Sequence, residues 1–287
     1  METLASDRNR NRKSKRKIVI KTLFGLCALC FCVTLALYLG TLWAYRQAGA
    51  AYEELQQACV VRTEVNGGLE EERGPASGMG DAEMNVASDH PDMENAACPI
   101  SVDYQTLKES IPDLVGWIYG EDTAISYPVV QGEDNAYYLR HMADGRSNAS
   151  GAIFMDVRNQ AHTPLSNEIL YGHHMKNGSM FAGLMAYKSQ TYYEAHPCFY
   201  YLTEEKTYRL EILRAGVTTG TSDIFQSAFR TKLDRAEYEK EWTHINVLTP
   251  VFDEAPDAPL MTLSTCSYEM ADARFVVQGQ LIEIGRS

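Results

Sequence analysis

Between Lys21 and Arg46 the chain runs for 24 residues, TLFGLCALCFCVTLALYLGTLWAY, without one Asp, Glu, Lys or Arg. In hydrocarbon the backbone must satisfy its own N–H and C=O groups, so such a stretch is a helix, and its length matches the roughly 20 residues needed to cross a bilayer core. Eight of the 26 basic residues precede it (Arg8, Arg10, Arg12, Lys13, Lys15, Arg16, Lys17, Lys21), against only Glu2 and Asp7. The positive-inside rule then places the N-terminus in the cytoplasm and the rest of a single-pass protein outside, with Trp43 and Tyr45 at the outer interface. A cleaved signal peptide ending at Ala48-Gly49-Ala50 is the alternative; the apolar run is long for that, and Arg46 and Gln47 interrupt the approach to the site. Both readings leave the remainder outside the membrane.

That remainder is acidic: of the chain's 26 basic and 38 acidic residues, 18 and 36 follow Tyr45. So negative a surface argues against nucleic acid as a partner. Residues 46–99 hold eleven acidic side chains, Gly67-Gly68, Gly74-Pro75, Gly78 and Gly80, and few large apolar groups. Such a segment buries too little surface to offset its ordering entropy. The expected division is a cytoplasmic tail (1–21), an anchor (22–45), an acidic flexible stalk (46–99) whose start, Ala48 to Val61, continues the helix, and a folded domain (100–287). Of the seven cysteines, Cys27, Cys30 and Cys32 fall in the anchor. Cys59 and Cys98 flank the stalk and are able to pair, although their spacing offers no disulfide framework. Cys198 reads as a buried filler. Cys266 is different.

From Ile100 onward, short apolar runs alternate with turns. A helix is expected at Tyr104–Ser110, capped by Ser101 or Asp103. Strands are expected at 116–119, 125–130, 152–155, 168–171, 208–217, 260–265 and 275–284. So many short strands predict a mainly β domain, a barrel or a sandwich. The charged segment 231–243 carries Leu233, Tyr238 and Trp242 at spacings that place them on one face of a surface helix.

The strand at 260–265 ends in Thr262-Leu263-Ser264-Thr265-Cys266. A strand cysteine is more often core than catalytic, but this one lies at a polar strand end where a thiol can reach solvent. A thiol attacks carbonyls as thiolate, a neighbouring imidazole can hold it in that form, and a fixed guanidinium can stabilise the developing oxyanion. His173 follows the strand at 168–171. Arg274 opens the last strand after a loop of seven residues, which lets two adjacent antiparallel strands present Cys266 and Arg274 at one end of the barrel. His173 and His174 compete for the base role, because neighbouring side chains face opposite ways. His90, His141, His162, His196 and His244 lack partners at metal spacing, so neither a metal nor another cofactor is expected.

The order His173, Cys266, Arg274 within YGHHM (171–175), TLSTC (262–266) and RFVVQGQL (274–281), together with DLVGWI (113–118), YPVVQG (127–132), Asp134-Asn135, Tyr137-Tyr138-Leu139 and GAIFMD (151–156), resembles the sortases, class B in particular. The resemblance spans roughly residues 100–287. It implies an eight-stranded β-barrel with N-terminal helices and an inserted surface helix before the cysteine strand. It also selects His173 over His174 and implies Asn135, Leu139, Tyr171 and Ser264 as substrate-binding positions. No triad carboxylate is assigned; Tyr268 stands where some relatives carry an acid, and Glu269 and Asp272 are nearby. The implied activity is a cysteine transpeptidase that cleaves the C-terminal sorting signal of a secreted protein after threonine. The acyl group then passes through a thioester to an amine of a peptidoglycan precursor or cross-bridge, anchoring the protein to the wall of a Gram-positive cell. A pilin-polymerising or hydrolytic enzyme of the same fold, and a catalytically silent, membrane-tethered peptide-binding module, are the alternatives. Retention of all three reactive residues argues against the last.

Overall fold

The computed structural model describes residues 2–63, 97–159, 166–266 and 272–285. It divides into two compact units, Met1–Ala50 and Ala51–Ser287. The first is helical throughout its described part, belonging to α1 (Glu2–Cys59). Leu23, Phe24, Phe31 and Trp43 are exposed along it. The Thr34 hydroxyl donates to the Cys30 and Phe31 carbonyls (3.0 and 2.9 Å) and that of Thr41 to the Tyr38 carbonyl (2.7 Å). These hydroxyls therefore ask nothing of their surroundings, as an apolar medium requires. Among the described residues this is the one helix long and apolar enough to cross a membrane.

In the second unit, β1 (Val60–Arg62) pairs with β2 (Ile100–Val102), and α2 (Tyr104–Ser110) follows. Asp103 caps α2 by accepting the Thr106 N–H (3.1 Å). The barrel strands are β3 (Leu114–Tyr119), β4 (Ser126–Val130), β5 (Ile153–Met155), β6 (Asn167–Tyr171), then, after α3 (Gln190–Ala195), β7 (Cys198–Leu202) and β8 (Thr207–Thr219). Helix α4 (Lys232–Glu239) leads to β9 (Leu260–Cys266) and β10 (Ala273–Gly285). They close in the order β10-β8-β7-β3-β4-β5-β6-β9. Among the described residues only β4/β5 and β6/β9 are parallel pairs.

The mainly β, eight-stranded barrel thus stands as expected. Of the barrel strands the pattern missed β7: Phe199, Tyr200, Tyr201 and Leu202 are all buried, so its sequence shows no alternation of apolar and polar positions. The short β1 and β2 were not expected either, and Val60 and Val61 are strand where the helix was expected to continue. Helix α4 also differs in detail. Tyr238 and Trp242 are buried against Ile169, Leu260 and Val276, but Leu233 is 73% exposed. The inward position is Arg235, whose guanidinium donates to Glu239 (3.0 Å) and to the Ala258 carbonyl (2.6 Å).

The segment 46–99 is not stalk from end to end. Residues Ala51 to Arg62 belong to the barrel unit: Tyr52 and Cys59 are buried, and Gln56 donates to the Ser126 carbonyl (2.6 Å). Tyr52 and Gln56 lie on the face of a helix end that finds a surface to cover. Residues 64–96 lie outside the described residues. Cys59 and Cys98 are free; the antiparallel register, Val60 opposite Val102 and Arg62 opposite Ile100, sets them at opposite ends of the β1–β2 ribbon. Cys198 is half-buried, and burial pushes its thiol up to about 11.

Candidate active site

Strands β6 and β9 run side by side in parallel with Tyr171 opposite Ser264, and the Gly172 N–H donates to the Ser264 carbonyl (3.1 Å). Parallel strands leave the barrel at the same rim. Two residues further along each chain come His173 and Cys266. Strand β10 returns antiparallel with Arg274 paired to Cys266, so the topology brings all three candidate positions to one rim. The approach to His173 needs a glycine: a Cβ on Gly172 would lie 2.5 Å from Ile153 Cδ1 and 2.7 Å from the Phe181 ring, closer than side chains pack.

The His173 Nε2 lies 2.8 Å from the Leu139 carbonyl. A carbonyl only accepts, so Nε2 carries the hydrogen and Nδ1 of the neutral ring is the basic nitrogen. The His173 carbonyl in turn accepts the Phe181 N–H (3.0 Å). His174 forms an isolated β-bridge with Met180. Arg274 is held by an ion pair from Nη2 to Asp272 Oδ1 (2.8 Å) and by donation from Nη1 to the Ala273 carbonyl (3.1 Å). The side chain of Cys266, with Tyr268 and Glu269, lies outside the described residues, as do His90 and His162. Asp272, the described member of the nearby acids, thus serves Arg274.

A cavity of about 230 Å³ opens at this rim, and His173, Arg274, Asn135, Leu139, Tyr171 and Ser264 all line it. Asn135 Oδ1 accepts the Val157 N–H (2.8 Å), which fixes its amide with the NH₂ group left for a ligand. The Tyr171 ring packs near Phe154 and Phe225, centroids 5.3 and 6.1 Å away. Its hydroxyl donates to Asp156 Oδ2 (2.9 Å); the Arg158 guanidinium donates twice to the same carboxylate (both 2.8 Å) and once to the Phe225 carbonyl (3.0 Å), and the Arg158 backbone N–H donates to Asp156 Oδ1 (2.9 Å). Burial alone would raise the Asp156 carboxyl; the bonds from Arg158 and Tyr171 outweigh it and hold the group below the usual carboxylate range. Burial, with Asp156 beside it, pushes the Tyr171 phenol well above its ordinary value, so it remains a donor.

The Ser264 and Thr265 hydroxyls are buried without a hydrogen-bond partner in the protein among the described residues. Thr265, Phe154, Phe225 and the Asp156–Arg158 pair were not singled out from the sequence. Asp156 had a signal, closing the GAIFMD segment; Phe225 had none, since it comes from a loop after β8. Among the described residues no group of His, Cys, Asp and Glu is arranged to hold a metal ion.

The sequence matches the Sortase domain family over residues 118–282. It is 35% identical over 178 residues to sortase B of Listeria monocytogenes, covering 61% of this chain and 72% of that protein. The Staphylococcus aureus sortase B–substrate complex superposes with a TM-score of 0.60 at 31% identity, over 63% of this chain and 85% of that one. A sortase B complexed with triglycine does so with a TM-score of 0.58 at 31% identity, over 63% and 86% of the two chains.

Proposed function

Since the chain belongs to the sortase family, class B, whose members are cysteine transpeptidases acting on sorting-signal peptides and amine nucleophiles, we propose that Cys266 is the nucleophile, His173 the acid and base, and Arg274 the oxyanion donor. What supports these assignments is the register at the rim, Tyr171 beside Ser264 and Arg274 opposite Cys266, which brings level two strand positions and His173, two residues past the end of β6.

In this reading the sorting signal of a secreted protein lies in the cavity against Tyr171, Leu139 and Ser264, with its backbone carbonyl engaged by the Asn135 amide. The Cys266 thiolate attacks the threonine carbonyl carbon, and negative charge gathers on the oxygen. Arg274, a permanent cation with several donors in a rigid fork, meets that charge. The C–N bond then breaks as the His173 imidazolium gives its proton to the leaving amine, and a thioester remains. An incoming amine attacks the thioester carbon, His173 takes its proton, and the thiolate departs. A peptide N-terminal amine is the first acceptor to try, given the relative complexed with triglycine; in the cell the acceptor is a peptidoglycan precursor or cross-bridge amine. The apolar helix anchors the enzyme, and the basic residues before it keep the N-terminus cytoplasmic, so that the barrel works at the outer surface.

The test is to incubate the full-length protein in detergent with threonine-containing sorting peptides, with and without triglycine. A thioester on Cys266 and a ligated threonine–glycine product are expected, both lost in Cys266→Ala. Hydrolysed peptide as the sole product with every amine tried overturns the transpeptidation of wall amines; cleavage surviving Cys266→Ala overturns the nucleophile.

A further inference from the structure

We propose that Tyr52, on the last turns of α1, is a positioning residue for His173; this rests on His173 being the acid and base. Tyr52 is 4% exposed. Its hydroxyl donates to the Gly151 carbonyl (3.0 Å) and accepts the Ala143 N–H (3.3 Å). It therefore pins one segment at two points. Burial keeps the phenol well above its ordinary value, with Asp144 adding to the effect, so the hydroxyl remains a donor throughout the working pH range.

That segment is the one that holds the imidazole. Gly151 has φ +60°, and a Cβ there would lie 2.5 Å from the Tyr138 carbonyl and 3.2 Å from His173 Cδ2. Glycine is what lets this backbone close so tightly on the ring. The next residue, Ala152, donates its N–H to the Tyr138 carbonyl (3.0 Å), and Leu139, the residue after Tyr138, supplies the carbonyl that takes His173 Nε2 (2.8 Å). The ring is thus walled and oriented by the stretch that Tyr52 fastens.

A second route leaves the other part of the same side chain. The Tyr52 ring packs edge-on to Tyr127, centroids 5.4 Å apart. The Tyr127 hydroxyl accepts the Met180 N–H (2.9 Å). Met180 has a left-handed backbone, φ 59°, bridges to His174, and precedes Phe181, whose N–H bonds the His173 carbonyl (3.0 Å). A buried tyrosine with a satisfied hydroxyl is ordinarily only structural. Here both of its routes end on His173, one at the ring and one at the backbone.

The experiment uses the full-length protein in detergent and four variants: Tyr52→Phe, Tyr127→Phe, Gln56→Ala and His173→Ala. Gln56 fastens the same helix at the Ser126 carbonyl, outside the 138–152 segment, so its loss weakens the attachment while both bonds of the Tyr52 hydroxyl stay in place. Tyr52→Phe should lower kcat about tenfold with KM changed less than about twofold, since small misplacement of a catalytic group is felt in the chemical step. It should also shift the His173 ring resonances in a histidine-labelled spectrum, while Gln56→Ala lowers the melting temperature and leaves both unchanged. Tyr127→Phe should reproduce the loss of kcat, and decides the matter if Tyr52→Phe does not fold. The proposal is overturned if kcat falls only in step with melting temperature across Tyr52→Phe, Tyr127→Phe and Gln56→Ala, with the ring resonances unmoved. Full turnover in His173→Ala overturns instead the reading of the histidine, whatever Tyr52 does.

Discussion

Arg274 and Asp272, two residues apart at the turn into β10, are joined by an ion pair of 2.8 Å. Asp272 has φ 57°, a left-handed conformation that Asp and Asn enter more readily than most residues. Its carbonyl accepts the Gly220 N–H (3.1 Å), and a Cβ on Gly220 would lie 2.7 Å from its Oδ2. The carboxylate is therefore seated against the end of β8, and from there it steers the guanidinium toward the rim. With 30% and 53% of the two side chains exposed, the pair contributes less than about 1 kcal/mol to folding. Its value is in aim.

Asp272→Asn keeps a residue suited to the left-handed turn and removes the charge. Stability should change by less than about 0.5 kcal/mol, while single-turnover acylation slows severalfold because Arg274 loses its guide. An unchanged acylation rate would show that the Ala273 carbonyl alone positions the guanidinium.

Arg274→Lys keeps the charge and loses the planar fork. Loss of an oxyanion donor costs about 10² to 10³ in rate, and that is the expected fall in acylation, with the melting temperature preserved. Near-normal turnover would move oxyanion stabilisation to backbone amides.

The Asp156 carboxyl sits below the ordinary carboxylate range because bonds from Arg158 and Tyr171 outweigh the cost of its burial. For an acid with a depressed folded value, the stabilisation is complete above the unfolded value of 3.8 and is lost as pH falls through the lower folded one. Asp156→Asn should therefore destabilise by about 2 kcal/mol near pH 7, the usual size of lost hydrogen bonds to a charged group. The gap should narrow as the medium is acidified below pH ~4. Denaturant melts of both proteins across that range measure it, and a gap independent of pH refutes the ionised pairing. Activity should fall as well, because the Tyr171 ring loses its tether at the cavity wall.

Burial pushes the Cys98 and Cys198 thiols each up to about 11. At neutral pH only about one in 10⁴ of either is thiolate, so alkylation at pH 7 should mark Cys266 long before them. Peptide mass spectrometry after graded labelling checks the order, and faster modification of Cys198 would deny Cys266 any special activation.

Strand periodicity made β6, β8, β9 and β10 legible because each alternates or runs apolar between turn residues. It failed at β7, whose Phe199, Tyr200 and Tyr201 are buried on both faces of the barrel wall. His173, Cys266 and Arg274 were readable from chemistry and motif, and their common rim follows from a parallel register that no local pattern encodes. Leu233 fits the helical spacing of the inward face but is exposed; Arg235, with carboxylate and carbonyl partners, occupies that place. Tyr52 was hidden for a similar reason: an acidic composition averaged over 46–99 conceals a short docking turn at its start.

That turn gives the last expectation. Composition alone puts the whole folded domain into residues 100–287, so that a fragment beginning at residue 90 would contain it; the unit boundary falls instead between Ala50 and Ala51. A fragment from residue 90 lacks Tyr52, Gln56 and Cys59, and leaves β2 without β1. Burying a large side chain stabilises by about 1.5–3 kcal/mol and each hydrogen bond by about 1, so several kcal/mol go with them. For a domain of this size that is a fall of roughly 10 °C in melting temperature. A fragment from Ala51 should melt and cleave peptide like the detergent-solubilised whole, whereas the fragment from residue 90 should melt lower and turn over more slowly. If the two fragments match in both respects, the docked helix end contributes nothing to the barrel, and the acidic segment is a passive spacer from its first residue.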